Sequence, residues 1–183
     1  GWDLKQLQAF FEEYGLDIAR AALVGGQEVS TYLSAFAVDL FLSADAQDVQ
    51  QAVNHGFAAA QIYTDGIYDL YDELSQIKIA FDGDAVLFSD EAEQIYQREG
   101  LEAFARHEQE LAHQTLNEGP FAKLLKTLSH LQKRFNSNPS PIRTALVTAR
   151  NAPAHERVIR TLRAWDVRID EAFFLGGLSK KEV

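Results

Sequence analysis

The sequence predicts an α/β protein built on a doubly wound parallel sheet with an inserted helical cap. Three observations carry that reading. Short apolar runs bounded by charge alternate with stretches whose apolar residues recur at three- and four-residue spacing, the pattern of strands joined by crossover helices. One run, residues 89–138, is helical in pattern throughout and lies between two strand signals. The strand before it ends in Asp82-Gly83-Asp84. Ligands of such Rossmann-like sheets bind at the carboxyl ends of strands, so an insert placed there covers a site. The expected division is a core of residues 1–88 and 139–183 with a cap of residues 89–138.

In chain order, Asp3 to Tyr14 reads as a helix, with Leu4, Leu7, Phe10 and Phe11 on one face, Asp3 as N-cap and Gly15 as stop. Ile18–Val24 reads as a strand followed by Gly25-Gly26. That glycine pair is not a phosphate loop, because the second half of G-x-x-x-x-G-K-[ST] is missing. A short helix Ser30–Phe36, a strand Val38–Leu42, a helix Ala46–Gly56 capped by Asp45 or Ser43, and a strand Ala58–Tyr63 follow. Thr64–Gln76 is polar and acidic and reads as a loop or hairpin. Beyond the Ile77–Phe81 strand, helices are expected to about Arg98, over Gly100–Leu116, and over Phe121–Phe135. Ser89, Asp90 and Glu91 cap the first, and Gly119-Pro120 separates the last two. Asn136 to Pro141 is a linker. Ile142–Val147 is a strand ending at Thr148. Asn151 and Pro153 start a helix to Trp165, since a first-turn proline loses no hydrogen bond. Ala172–Leu175 is the last strand, closed by Gly176-Gly177.

Tyr14–Gly26 and Trp165–Gly177 echo one another: Ile18 matches Ile169, Ala21 matches Ala172, and both copies end in a double glycine. Either this is a repeated unit, or it is what any generic strand unit gives.

Composition bounds the function. A chain of 183 residues is long enough for one domain with a real core, or a domain with a small insert. The net charge of −10 argues against nucleic-acid polymers, which want a basic face. A small phosphorylated ligand needs only a local cluster of donors. No apolar run approaches the ~18 residues of a membrane span, and no signal-peptide pattern precedes the first helix. Without cysteine there is no disulfide or thiolate site, which fits a cytoplasmic protein. Without methionine, Gly1 is not a native start.

The chemistry concentrates at Asp82 and Asp84. In extended backbone, residues i and i+2 point the same way, so both carboxylates can face one site. Gly83 removes a side chain where a ligand can approach the backbone. Two such anions repel unless a cation or a shared proton joins them, and a hard divalent ion suits their oxygens. Taken bare, a D-x-D is an acidic turn after a strand; its flanks change the reading. A hydrophobic run followed by DGDAVLF resembles the first motif of the haloacid-dehalogenase (HAD) phosphatase superfamily. The longer FDGDAVLFSDEAE, with VTARNAPAHERVIRTLRAW at Val147–Trp165, resembles the cytosolic 5′-nucleotidase type I family in its bacterial form.

The resemblance implies a HAD-type fold. It also implies Mg²⁺-dependent hydrolysis of nucleoside 5′-monophosphates through an aspartyl-phosphate. Asp82 is then the nucleophile, and Asp84 the acid that protonates the leaving 5′-oxygen, its pKa raised by its surroundings. Magnesium is expected on Asp82, on the backbone carbonyl of Asp84, and on an acid beyond Val183. Thr148, with the N–H groups of the following helix start, can hold a phosphoryl oxygen; otherwise it simply closes a strand. Lys180, or its neighbour Lys181, resembles the third-motif lysine. Arg150 and Asn151 are candidate nucleotide contacts, and Arg150 alternatively only balances surface charge. The first copy of the echo has Val29 where the second has Lys180, and reads as scaffold.

The five histidines show no metal spacing. His107 and His113 read as solvated, and His155 as a candidate substrate contact. Phe121 and Lys123 are candidates to meet the base, with Phe121 reading more naturally as core. A HAD-type sugar phosphatase, and a non-catalytic nucleotide- or phosphate-binding module, are the competing functions. Homo-oligomerisation is left open.

Overall fold

The computed structural model describes residues 4–22, 27–63, 76–135, 139–176 and 178. Asp3, Gly25-Gly26, Asn136–Asn138, Gly177, Lys180, Lys181 and nearly all of the Thr64–Gln76 segment lie outside them. The chain forms two compact units, Gly1–Ile62 and Tyr63–Val183.

In the first unit, α1 (Leu4–Glu13) stacks Phe10 on Tyr14 at 4.5 Å between ring centres. Helix α2 (Ser30–Ala35) leads to β1 (Phe41–Ser43), α3 (Ala46–Asn54) and β2 (Ala59–Gln61). The two strands pair in parallel, as a crossover helix requires. Asp45 is the cap of α3: its carboxylate accepts the N–H groups of Gln47 and Asp48 at 2.7 and 3.3 Å. Leu33, Ala52 and Ala59 are the buried centre, packed round by Val38, Phe41 and Phe57. The strand expected at Ile18–Val24 is not formed over its described part, residues 18–22. Leu16 and Ile18 are exposed, and the segment is tied instead by Arg20, which donates to the carbonyls of Ala35 and Phe36. An apolar run forms a strand only when a neighbouring edge accepts it. The expected Val38–Leu42 strand starts later, at Phe41.

The second unit holds a three-stranded parallel sheet in the order β3-β4-β5: Ile77–Asp82, Ile142–Thr148 and Glu171–Phe174. The register sets Asp82 opposite Val147 and Thr148 opposite Phe174, so the strands' carboxyl ends form one edge. Helices α4 (Glu91–Glu99), α5 (Leu101–Glu110) and α6 (Ala122–Arg134) separate β3 from β4, and α7 (His155–Ala164) separates β4 from β5. Alternation along the strands buries Phe81, Ile142, Thr144, Leu146 and Thr148. Phe88, Leu87, Leu125 and Val158 complete that core. The second copy of the echo therefore makes a strand that the described part of the first does not. The opposite sheet face carries Lys78, Ala80, Asp82, Val147 and Phe173 around an open cavity of about 540 Å³. Parallel strands joined by helices are shown, and are compatible with a Rossmann-like fold.

The helical run 89–138 divides by its contacts. Helix α6 turns Leu124, Leu125, Ser129 and Gln132 inward. Gln132 donates to the Ile142 carbonyl at 3.1 Å and to Asp170 at 2.8 Å, and Ser129 accepts the Arg168 N–H at 2.7 Å, so α6 is fastened to the strands' amino ends. Helices α4 and α5 form a hairpin broken at Gly100, whose φ of 83° is left-handed. Helix α5 stops at Glu110 rather than running to Leu116. The chain beyond it is committed elsewhere: Asn117 and Gly119 bond the segment that follows β3. No described helix is long and apolar enough to cross a membrane.

Candidate active site

The site begins where β3 ends. Asp82 and Asp84 are both extended, and Ala85 then takes a left-handed φ of 61°, which costs a non-glycine residue about 1 kcal/mol. The wide turn Gly83–Leu87 closes when the Phe88 N–H donates to the Gly83 carbonyl at 3.0 Å. Three further bonds clamp it: Ser89 N–H to Asn117, Gly119 N–H to Leu87 and Phe121 N–H to Val86, at 2.9, 2.9 and 3.0 Å. A Cβ on Gly119 would stand 2.5 Å from the carbonyl oxygens of Val86 and Phe88, so only glycine lets the strands this close.

Gly83 lets the tips of two strands pack closely. A Cβ there would lie 3.0 Å from Thr148 Cβ and 3.1 Å from Thr148 Oγ1. Thr148 itself is fully buried, and its hydroxyl accepts the Arg150 N–H at 3.2 Å. The tips of β3 and β4 are thus in van der Waals contact through a glycine and a threonine.

From the end of β4 the Arg150 side chain reaches back to Asp84. Its Nε donates to both carboxylate oxygens at 3.0 and 3.1 Å, and Nη2 donates to Oδ1 at 2.7 Å. Nη1 donates to Glu108 Oε2, and the other oxygen of Glu108 accepts from Arg157 Nη1 at 2.7 Å. Arg157 also donates to the carbonyls of Gln114 and Thr115 at 3.3 and 3.5 Å. The result is an alternating chain, Asp84–Arg150–Glu108–Arg157, in which the Glu108 side chain is 0% exposed and the Arg150 side chain 1%. Burial alone would lower the pKa of Arg150; bonding to Asp84, reinforced by its charge and by Glu108, outweighs that and raises it. The guanidinium forks onto both oxygens of Asp84, the arrangement that recognises a carboxylate.

A cavity of about 360 Å³ opens beside this chain, lined by Asp84, Arg150, Asn151 and Gly176 on one side and by Tyr96 and Phe104 of the α4–α5 hairpin on the other. The Tyr96 and Phe104 rings meet edge-on at 6.4 Å, and the Arg150 guanidinium lies 5.7 Å from the Phe104 ring centre. The structure therefore brings Asp84, Arg150 and Asn151 into one cavity. It does not bring Asp82 there: that residue lines the cavity on the open sheet face. Thr148 touches the turn but lines neither, and Lys180 is outside the described residues. Phe121 is half-buried and packs edge-on against Phe81 at 6.4 Å between ring centres. Lys123 and His155 are not among the lining residues, and His155 packs on Phe174 at 5.6 Å. His113 is exposed as expected. His107 is not: its Nε2 is buried between the hairpin helices, 4.0 Å from Glu91.

Glu108, Arg157, Tyr96 and Phe104 escape the motif reading. For two of them a signal exists. Phe104, His107, Glu108 and Leu111 follow the i, i+3, i+4, i+7 rule, which places a carboxylate on an apolar stripe. Ala154, Arg157, Val158 and Thr161 do the same with a cation. Among the described residues no three His, Asp or Glu side chains converge as a metal cage. The Asp82 carboxylate and the Asp84 carbonyl are hard oxygens all the same, and magnesium commonly takes one or two protein carboxylates and keeps its waters, so the donor chemistry fits.

A sequence model described as 5′-nucleotidase matches residues 5–183. Human cytosolic 5′-nucleotidase 1B is 42% identical over 175 residues, covering 93% of this chain and 28% of the human protein. The chain thus spans little more than a quarter of the length of that relative. No solved structure matches. With a family match over nearly its whole length, and with Asp84 after β3 and Arg150 and Asn151 after β4 meeting in one cavity, the chain belongs to the 5′-nucleotidase family.

Proposed function

We propose that the protein is a magnesium-dependent 5′-nucleotidase of HAD type that hydrolyses nucleoside 5′-monophosphates to nucleoside and phosphate. The observation that carries this reading is the cavity at the strand ends: a carboxylate and a guanidinium stand on one side and two aromatic rings on the other. A phosphate and a base differ in the same way, one end anionic and the other flat and apolar. Tyr96 and Phe104 offer faces on which a base can stack, and Asn151 offers an amide to the ribose or base.

The phosphate is read as lying over the tips of β3 and β4, between the two cavities. An Asp82 oxygen attacks phosphorus, the bond from phosphorus to the 5′-oxygen breaks, and that oxygen takes a proton from Asp84. Water then attacks the aspartyl-phosphate, gives a proton back to Asp84, and frees phosphate and Asp82. The fork from Arg150 must loosen while Asp84 carries the proton, and it restores the carboxylate that receives the proton from water. Thr148, anchored against Gly83, presents the end of β4 and the N–H groups beyond it to the phosphoryl oxygens. Lys180 is assigned to the nucleophile and the phosphate. Asp82 and the Asp84 carbonyl would hold Mg²⁺, which neutralises charge on the phosphoryl oxygens. The helical run 89–138 acts as the cap, with the α4–α5 hairpin over the cavity. A cytoplasmic location accords with the name of the human relative.

The test is phosphate release from AMP, IMP and a sugar phosphate, with Mg²⁺ and with chelator. Asp82→Asn is expected to lose turnover on the order of a thousand-fold or more with its fold intact. Normal AMP hydrolysis by that variant rejects the mechanism. Faster release from the sugar phosphate moves the substrate class. Calorimetric binding of nucleotide without release replaces the enzyme by a binding module.

A further inference from the structure

We infer that Glu108 is a positioning residue for Asp84, acting through Arg150; the inference rests on the hydrolase reading above. Glu108 lies on α5, and its side chain is fully buried. It touches neither Asp84 nor the cavity. A carboxylate in such a place is costly, and an apolar residue would serve packing as well or better. What the carboxylate adds is direction. Arg150 is planar, and its Nε and Nη2 grip Asp84 while Nη1 is held by Glu108. With one corner anchored, the plane of the guanidinium is set, and so is the rotamer of the Asp84 it grips. Arg157 donates to the second oxygen of Glu108 and offsets its buried charge, which a lysine there would also do. Glu108 of α5 thereby reaches the proton-transfer group through Arg150, and keeps Arg150 in place whenever Asp84 lets go.

A leaving group reveals the role. Ribose 5′-oxygen is a poor leaving group and needs the proton; p-nitrophenolate is a good one and barely does. The parent chain, Glu108→Gln and Arg157→Lys are compared by kcat/KM on AMP and on p-nitrophenyl phosphate. Glu108→Gln is expected to lose roughly ten-fold or more on AMP beyond its loss on the aryl ester, from the ~100-fold or more that a positioned acid contributes. Arg157→Lys disturbs the same buried cluster from the side away from Asp84, and is expected to leave the ratio of the two substrates unchanged. Equal losses on both substrates in Glu108→Gln mean a structural role and overturn the inference, as does a ratio that shifts as much in Arg157→Lys. If Glu108→Gln does not fold, Glu108→Asp is read in its place, with the carboxylate withdrawn by about 1.5 Å and the same selective loss expected. If neither folds, Glu108 is structural and the inference falls.

A parent that releases phosphate from neither substrate refutes the hydrolase reading and not the coupling. Hydrogen exchange of the Arg150 Nε–H, followed by NMR and assigned by its loss in Arg150→Lys, then decides the coupling. The expected result is protection in the parent and exchange several-fold faster in Glu108→Gln; equal exchange overturns the inference.

Discussion

Gly83→Ala separates two explanations of the glycine between the aspartates. Its φ lies outside the left-handed region, so alanine suffers no backbone strain. The obstacle is Thr148, whose Cβ and Oγ1 stand 3.0 and 3.1 Å from where the new methyl would go, with the Phe88 ring at 3.6 Å. Such contacts require a shift of a few tenths of an ångström. Thr148 has little room to give: it is fully buried, sits in a strand paired on both sides, and is bonded to the Arg150 N–H. Overpacking of this kind costs about 1–3 kcal/mol. Alanine stiffens the unfolded chain and returns about 0.4–1 kcal/mol. The expected net loss is therefore roughly 0.5–2 kcal/mol in urea unfolding followed by fluorescence of Trp165. A shift of that size at the tip of β3 should also slow turnover several-fold, since a 1 Å misplacement costs about 100-fold. In a double-mutant cycle, Thr148→Ala should relieve the clash and couple to Gly83→Ala by about 0.5 kcal/mol or more. If Gly83→Ala is as stable as the parent and raises only KM, the glycine is there for the ligand and the packing argument is wrong.

Two further outcomes follow from the buried charges. Arg150→Lys keeps the charge but cannot span Asp84 and Glu108 at once, so unfolding free energy should fall by about 2–4 kcal/mol. Because the pKa of Arg150 is raised above its already high ordinary value, its contribution is complete well below that value, and the loss should be the same at pH 6 and pH 9. A loss under ~0.5 kcal/mol would mean the alternating chain does not form. Asp170, bonded by Thr144 N–H, Gln132 and Arg168, titrates below its ordinary 3.8: burial pushes it up, and those donors and the Arg168 charge pull it down further. A depressed carboxylate stabilises above its unfolded pKa and ceases to as pH falls through the folded one. Parent stability should therefore drop as pH falls below about 4, and Asp170→Asn should be less stable at neutral pH and flatter over the acid window. Equal acid slopes for the two proteins would remove Asp170 from the account.

Much of the fold is legible because its determinants are local. Gly100 and the 3.6-residue periodicities mark most helix limits to within a few residues, the end of α5 being the exception, and the three strands of the second unit stand where apolar runs meet charge. Ile18–Val24 shows the limit: Ile18 and Ala21 match Ile169 and Ala172, yet residues 18–22 form no strand while Glu171–Phe174 pairs with β4. Helix α6 shows another. Its pattern is that of α4 and α5, and only the bonds from Ser129 and Gln132 to the amino ends of the strands tell that it fastens the sheet.

The site divides along the same line. Asp82, Asp84, Arg150 and Asn151 are found because they fall within contiguous motifs. That Asp84 and Arg150 grip one another, while Asp82 faces the open side of the sheet, depends on a turn whose left-handed residue is an alanine, a type that announces nothing. Glu108 and Arg157 could have been paired by a stricter use of periodicity. Each is a charge on an apolar helical stripe, the signs are opposite, and a buried charge requires a partner. The opposite signs on the two stripes make the pairing between them a natural expectation. The third partner is not. Arg150 lies in a loop, where no periodicity separates an arginine that faces inward from one that faces water. Its role is fixed only by the distance a guanidinium can reach back across the end of β4 to Asp84.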